Sequence, residues 1–273
     1  MHMNRHRWYA RILPPGKAMA ATGLVAAAAL LAAVLPAAQP ASASLSRTLC
    51  RQYQHVDVQD GHGGHFRIRN DFWGTSGMCM AVSGNNSSFT VVTTRANRIH
   101  GQVMAYPYIF TGCSWGICTP RSGLPARASS LRDPESTWHI KDRVGGIWDA
   151  AYDLWFARHR MTNGQATGAE LMIWINSRNI GPFSKKIVWI DHVRWYLASW
   201  RTFHSGLPSW RYIQFRRFHP VSRVTNLRLG PFIRRAEHLR YVRRRWWLLN
   251  IEAGFELTRG GAGLATTYFT ARA

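Results

Sequence analysis

Most of the chain after residue 43 consists of short segments in which apolar and polar side chains alternate, and Gly, Pro, Asn or Ser separates each segment from the next. Alternation with a period of two is typical of β-strands that bury one face. The candidate strands are residues 65–69, 88–92, 107–110, 148–156, 170–176, 186–195, 246–255 and 264–269, with a hairpin turn at 84–87 and a long loop at 121–134. The pattern predicts an all-β sandwich of two antiparallel sheets.

One segment departs from this pattern and predicts a single helix. Pro231 suits a first helical position, and Phe232, Ile233, Ala236 and Leu239 then follow at helical spacing. We expect this apolar face to pack against the sandwich. The 46% apolar content of the 273 residues is enough to fill the core of one domain.

The first 43 residues predict a secretory signal peptide. Four basic residues precede an Ala-, Leu- and Val-rich run at 18–35, and Ala41-Ser42-Ala43 fits a small-residue cleavage site. An uncleaved membrane anchor is the alternative, because an apolar run of this length could just span a bilayer. We therefore expect a signal peptide at 1–43 and one domain at 44–273, secreted and free of the membrane after cleavage.

The four cysteines of the chain predict disulfide bonds, since an even number in an exported protein is typical of a bridged framework. A bridge could close the tight turn from Cys113 to Cys118, which would leave Cys50 to pair with Cys79. A zinc site is the competing interpretation, but only one of these pairs approaches the usual spacing of zinc thiolates.

The formal net charge of +22 favours anionic partners. Residues 194–273 alone contain 15 arginines and three acidic residues. Nucleic-acid binding is one interpretation of such a charge. The arginines are scattered among apolar residues without a recognisable reader motif, so a basic surface attracted to acidic polysaccharide or cell envelope is favoured over specific nucleic-acid recognition.

Two of the five glutamates stand inside apolar, strand-like runs and are the main candidates for chemistry. Alternation places Glu170 on the same strand face as Met172 and Trp174, while the residues between them point into the core. In the C-terminal strand, Glu252 and Glu256 share the non-core face, and Gly254 between them would leave room for a ligand. An apolar setting raises a carboxyl pKa, and glycosidic-bond hydrolysis requires a pair of carboxylates. The pattern predicts a sugar-binding cleft, with two ordinary exposed glutamates as the alternative.

A third carboxylate, Asp153, shares a strand face with Trp155. If it lies near one of the glutamates, it could hydrogen-bond to that group and change its pKa. Pairing with one of the many arginines is the alternative.

Several segments, in order along the chain, resemble glycoside hydrolase family 12, the small endoglucanase and xyloglucanase family. The matching segments are Asn70-Asp71-Phe72-Trp73-Gly74, Tyr106-Pro107, Gly112-Cys113-Ser114-Trp115-Gly116, Ala151-Tyr152-Asp153-Leu154-Trp155, Glu170-Leu171-Met172-Ile173-Trp174 and Ala253-Gly254-Phe255-Glu256. The resemblance implies a β-jelly roll with an open substrate cleft and one packed helix. It also fits the disulfide pairing given above.

The resemblance further implies a secreted, monomeric endo-β-1,4-glucanase that cleaves cellulose, mixed-linkage glucan or xyloglucan with retention and without a metal or organic cofactor. Glu170 would be the nucleophile, Glu256 the general acid/base, and Asp153 the aspartate that assists the nucleophile. Trp73 matches a sugar-stacking residue, and Asn70, Met172 and Trp174 match cleft residues. A weakly active or inactive carbohydrate-binding relative, held to anionic wall material by its basic surface, is the alternative.

Three positions depart from the family pattern. Leu257 follows Glu256 where the family usually has proline, which would loosen the backbone that presents Glu256. Asp71 replaces an asparagine. Glu252 replaces a glutamine, and its charge would raise the pKa of Glu256.

Overall fold

The computed structural model describes residues 47–83, 87–99, 101–202, 206 and 208–273. The signal peptide expected at 1–43 and most of the hairpin turn expected at 84–87 lie outside these residues and stay predictions. Within the described part, no helix is long and apolar enough to cross a bilayer.

The described residues form two β-sheets that pack face to face. In chain order the strands are β1 (Arg47–Leu49), β2 (His55–Gln59), β3 (His65–Arg69), β4 (Met78–Val82), β5 (Phe89–Thr94), β6 (Tyr108–Ser114), β7 (Ile117–Cys118), β8 (Ala126–Arg127), β9 (Glu135–Lys141), β10 (Gly146–Ala157), β11 (Ala169–Arg178), β12 (Ile187–Ile190), β13 (Val193–Arg201), β14 (Arg211–Arg217), β15 (Arg223–Arg228), β16 (Trp247–Leu248), β17 (Asn250–Gly260) and β18 (Ala265–Arg272). One sheet has the order β1-β4-β5-β18-β9-β15. The larger sheet has the order β12-β13-β14-β11-β10-β17-β6-β3-β2, with β7, β8 and β16 at its margin. The predicted jelly-roll sandwich is confirmed.

The core lies between the sheets and is built from alternate residues of each strand. Leu171, Ile173 and Ile175 of β11 are completely buried in it, as are Ala253 and Phe255 of β17. Because side chains alternate across a strand, the intervening residues of β11 and β17 lie on the opposite face of the larger sheet. The faces expected for both strands are therefore confirmed.

The helix α1 (Gly230–His238) covers one part of the larger sheet. It buries Phe232, Ile233 and Ala236, as the sequence predicts. The ring of Phe232 packs edge-on against Trp195 of β13 at 4.9 Å and against Phe215 of β14 at 5.3 Å between centroids.

Three details of the strand prediction are wrong. Residues 246–255 form parts of two strands, β16 and β17, which are separated by Leu249. Residues 186–195 form two strands, β12 and β13, because Asp191 and His192 adopt positive φ values of 50° and 62° and reverse the chain. These residues lack the Asn-Gly type of signal that marks such turns. In addition, β11 and β14 pair in parallel, since the β12–β13 hairpin intervenes between them in the chain.

Both disulfide bonds occur as expected. Cys50 pairs with Cys79, and Cys113 pairs with Cys118 across the β6–β7 hairpin. All four cysteines are in disulfide bonds, so no thiolate is left to bind zinc and the zinc interpretation is wrong. The segment 121–134 is largely irregular, as predicted, apart from β8 and a single 3-10 turn at Ala128–Ser130.

Candidate active site

The candidate carboxylates lie on three adjacent strands of the larger sheet, on the face turned away from the core. Glu256 is on β17, Asp153 on the neighbouring β10, and Glu170 on β11 next to it. Asp153 lies opposite Met172 of β11 and Glu252 of β17 in the register. The sheet thus brings together the three predicted catalytic residues.

Glu170 is buried, with 8% of its surface exposed, and lies between Trp155 of β10 and Tyr212 of β14. The indole N–H of Trp210 donates a hydrogen bond of 2.5 Å to Glu170 Oε2. Burial raises the pKa of Glu170 to about 8, the Trp210 bond lowers it, and the charge of Glu256 raises it. This last influence shows that Glu170 and Glu256 belong to one electrostatic site.

Glu256 is half-buried and faces Asp149 of β10 in the register. Burial raises its pKa, and the neighbouring Asp149 carboxyl lowers it. The effect of the Glu252 charge on the pKa of Glu256 stays a prediction.

Glu252 instead belongs to a polar cluster beside β6. Its Oε1 accepts a hydrogen bond of 2.8 Å from the Asn250 amide, and its carboxyl also interacts with Ser114. Burial raises the pKa of Glu252 to about 8, while Ser114 and Arg69 lower it. The Glu252 carboxyl is therefore held by its own partners, Asn250 and Ser114.

Asp153 is almost fully buried, and burial raises its pKa well above the ordinary value. The charges of Glu170, Glu252 and Glu256 raise it further, and a hydrogen bond with the Trp155 side chain lowers it. Among the described residues no arginine forms a salt bridge with Asp153. The alternative of an arginine pair is therefore not observed, and Asp153 shares the environment of both glutamates.

The predicted substrate-binding residues differ in their access to solvent. Trp73 is 49% exposed, as a sugar-stacking ring requires. Met172 and Trp174 are almost fully buried, and the Phe183 ring packs edge-on against Trp174 at 5.7 Å. Asn70 is completely buried, and its amide donates hydrogen bonds to the backbone oxygens of Arg51 and Met78. Asn70 thus lies beneath the surface rather than on it.

The backbone around Glu256 is tightly held, contrary to what the replacement of proline suggests. The N–H of Leu257 donates to Ala105 O at 2.9 Å, and Leu257 O accepts from Met104 N at 2.8 Å. The Leu257 side chain is fully buried. Gly254 also differs from expectation, because a Cβ there would lie 2.5 Å from Pro107 O, so its lack of a side chain serves close backbone approach rather than a ligand.

The sequence patterns did not identify two residues of the site, Asp149 and Trp210. Asp149 falls on the same face of β10 as Asp153, so alternation alone could have identified it. Trp210 immediately precedes β14, and its contact with Glu170 depends on the parallel pairing of β14 with β11, for which no local signal exists.

The buried carboxyls make folding depend on pH in a defined direction. Glu170 and Glu252 have pKa values of about 8 in the folded protein, against an ordinary value of 4.5. The folded state binds more protons than the unfolded state between these values, so stability declines as pH rises through this range. We expect the midpoint of thermal unfolding to fall steadily from pH 5 to pH 8.5. Glu170→Gln should flatten that dependence, whereas Glu135→Gln on the other sheet should leave it unchanged; a midpoint that rises over this range would contradict the assignment.

Among the described residues, no group of three or more His, Cys, Asp or Glu side chains is arranged to hold a metal ion. The chemistry available at this site is that of ionisable carboxyls, hydrogen-bond donors and aromatic rings.

Comparison with known proteins identifies the same family by sequence and by structure. The model of glycosyl hydrolase family 12 matches residues 64–273. Endoglucanase S of Pectobacterium parmentieri is 35% identical over 103 residues, which span 37% of this chain and 38% of that protein. The chain thus matches well under half of the length of this curated relative.

Two solved structures resemble nearly the whole described part. A metagenome-derived endoglucanase of family 12 is 34% identical with a TM-score of 0.75, covering 84% of this chain and 97% of its own. The endoglucanase Cel12A from Rhodothermus marinus is 35% identical with a TM-score of 0.74, covering 83% and 98% respectively. A xyloglucanase from Bacillus licheniformis shares the fold at 19% identity, with a TM-score of 0.74 and coverage of 83% and 99%.

Proposed function

Because the chain belongs to glycosyl hydrolase family 12, we propose that it is a secreted endo-β-1,4-glucanase that hydrolyses internal bonds of β-glucans with retention of anomeric configuration. Glu170 is the nucleophile and Glu256 the general acid/base. The observation that supports this most strongly is the gathering of Glu170, Asp153 and Glu256 from three adjacent strands into one electrostatically linked site on the non-core face.

The two glutamates act in succession. The protonated Glu256 carboxyl gives its proton to the glycosidic oxygen while a Glu170 oxygen attacks the anomeric carbon, which forms a covalent glycosyl-enzyme. Glu256, now a carboxylate, then takes a proton from the water that releases the sugar. This mechanism requires the carboxyl groups to lie about 5–5.5 Å apart.

Asp153 assists the nucleophile. Burial and neighbouring carboxylates raise the pKa of Asp153 well above its ordinary value, so it stays neutral when Glu170 ionises. A neutral carboxyl can donate a hydrogen bond to a carboxylate and thereby stabilise its charged form.

The substrate is a β-1,4-linked glucan chain: cellulose, mixed-linkage glucan or xyloglucan. The exposed ring of Trp73 provides a surface for stacking on a pyranose. Two of the similar structures are endoglucanases, and a more distant one is a xyloglucanase. The protein acts as a monomer without a metal or organic cofactor, and its basic surface attracts it to anionic wall material without specific nucleic-acid binding.

The test is cleavage of carboxymethylcellulose, mixed-linkage glucan and xyloglucan, measured as reducing ends and as viscosity. An endo-acting enzyme lowers viscosity early, before many reducing ends appear. Proton NMR of the first product should show the β-anomer before mutarotation. A wild-type rate equal to that of Glu170→Gln would favour the weakly active or inactive binding relative, and an α-anomer as first product would refute retention.

Trp210→Phe should shift the pH dependence of cleavage. The Trp210 N–H stabilises the ionised form of Glu170 and lowers its pKa. Without this donor the pKa rises, so Glu170 is ionised only at higher pH. We expect the acidic limb of kcat/KM to move upward by about one pH unit, which lowers activity about tenfold on that limb. Trp189→Phe, at the exposed edge strand β12, is the matched control and should leave the profile unchanged; an unchanged profile in Trp210→Phe would contradict the prediction.

A further inference from the structure

Asp149 is a buried carboxyl to which the proposed mechanism gives no role. Only 1% of its surface is exposed, and it lies on the same face of β10 as Asp153. The register pairs it directly with Glu256 across the β10–β17 ladder. Residues directly opposite one another in an antiparallel pair have neighbouring side chains, so the two carboxyls are in immediate contact range.

The hydrogen bonding of Asp149 is unusual for a buried carboxyl. Neither of its oxygens has a hydrogen-bond partner among the described residues. The side chain directly opposite it in the register is that of Glu256. Two neighbouring carboxyls can hydrogen-bond to each other only if one of them carries a proton, because two carboxylates have no donor and repel each other.

Burial and the charge of Glu256 raise the pKa of Asp149, and burial raises the pKa of Glu256 while Asp149 lowers it. Asp149 is almost fully buried whereas Glu256 is half-buried, so Asp149 is the carboxyl of this pair that keeps its proton as the pH rises. Arg216 of β14 favours the charged form of Asp149, but no salt bridge joins them.

We propose that Asp149 is a positioning residue for Glu256: its carboxyl stays protonated and donates a hydrogen bond that orients Glu256 and stabilises Glu256 as a carboxylate. This inference rests on the proposed role of Glu256 as general acid/base. Asp149 contacts neither of the reacting sugar atoms and acts through its neighbour.

The pair has a defined part in each half of the reaction. Glu256 transfers its proton to the glycosidic oxygen, the bond from that oxygen to the anomeric carbon breaks with its electron pair on the oxygen, and the bond to Glu170 forms. The Glu256 carboxylate left behind accepts the O–H of Asp149, which makes Glu256 a stronger acid. In the second half Glu256 takes a proton from water, the water oxygen bonds to the anomeric carbon, and the bond from that carbon to Glu170 breaks with its electron pair on the Glu170 oxygen. The Asp149 proton stays on Asp149 throughout.

The ionisable groups around this pair come from every neighbouring element. They are Asp153 on β10, Glu170 on β11, Glu252 on β17, Tyr212 and Arg216 on β14, and Tyr106 before β6. Asp149 itself is the neighbour that lowers the pKa of Glu256. The shift expected below is therefore specific to Asp149.

The test compares two substitutions of similar shape. Asp149→Leu removes the donor, so the pKa of Glu256 should rise by about one unit and the alkaline limb of kcat/KM should move up equally. Asp149→Asn supplies an amide N–H in place of the carboxyl proton. It should keep the alkaline limb within about 0.3 pH unit of its wild-type position. Loss of activity in both variants without any movement of the limb would indicate a merely structural residue and overturn the proposal.

A second measurement does not depend on catalysis. Carbon-13 NMR of protein labelled at glutamate and aspartate side-chain carboxyls can follow both groups, with Glu256→Gln and Asp149→Asn assigning the signals. In the wild type, Glu256 should ionise at lower pH than Asp149; the reverse order would overturn the proposal even if Asp149→Leu does not fold. Absence of glucan cleavage would refute the proposed function, whereas normal cleavage with an unchanged Glu256 titration in Asp149→Leu would refute only this inference.

Discussion

Replacement of Glu170 by glutamine is expected to lower kcat on mixed-linkage glucan or carboxymethylcellulose by about 10⁴-fold or more, because an amide cannot form the glycosyl-enzyme. The change is nearly isosteric, and its amide can still contact Trp210, whose N–H now bonds Glu170 Oε2. Glutamine carries no charge, so the cost of burying an ionisable group disappears. The folded protein should therefore be at least as stable as the wild type, and substrate binding should persist.

The measurements are initial rates of reducing-end release together with thermal unfolding. Glu237→Gln, on α1 and outside the site, is the matched control and should retain full activity. Retention of more than about one per cent of wild-type activity by Glu170→Gln would show that Glu170 is not the nucleophile.

Glu256→Ala is expected to produce an effect that depends on the leaving group. Polysaccharide cleavage needs a proton on the departing oxygen, so its rate should fall about 10²–10⁴-fold. An aryl β-cellobioside with an acidic phenol leaves without that proton, so its glycosyl-enzyme should form and then accumulate, because the second step lacks its general base. Sodium azide, which needs no general base, should attack this intermediate and yield a β-glycosyl azide.

The rates on both substrates, with and without azide, and the anomeric configuration of the azide product provide the measurement. Glu135→Ala, on the smaller sheet, should match the wild type on both substrates and show no response to azide. Equal losses on the polysaccharide and the aryl substrate, with no azide product, would exclude Glu256 as the acid/base.

Much of the site follows from the alternation of side chains along single strands. The faces of β11 and β17 could be predicted because Leu171, Ile173 and Phe255 are apolar at every second position, which fixes the side on which Glu170 and Glu256 lie. Family resemblance then assigned roles that alternation alone could not. The helix could be predicted equally well, since its apolar spacing and Pro231 are local signals.

The parts that could not be predicted depend on contacts between strands distant in sequence. The Trp210–Glu170 bond requires the parallel pairing of β14 with β11, which follows from where the β12–β13 hairpin is placed. The contact between Asp149 and Glu256 requires the register of β10 against β17, including its irregularity between Ile147 and Trp148. A single sequence carries no signal that specifies either register.

The alternation that presents the carboxylates also limits how the protein can be engineered. Glu170 and Glu256 are each flanked by fully buried core residues: Leu171 follows Glu170, and Phe255 precedes Glu256. Interiors are close-packed, so a change of volume at either core position shifts the strand and, with it, a carboxylate whose placement must hold to a fraction of an ångström. Thermostabilising substitutions are therefore best sought in the strands of the smaller sheet, such as β4 and β5, where repacking leaves the spacing of the carboxylates intact.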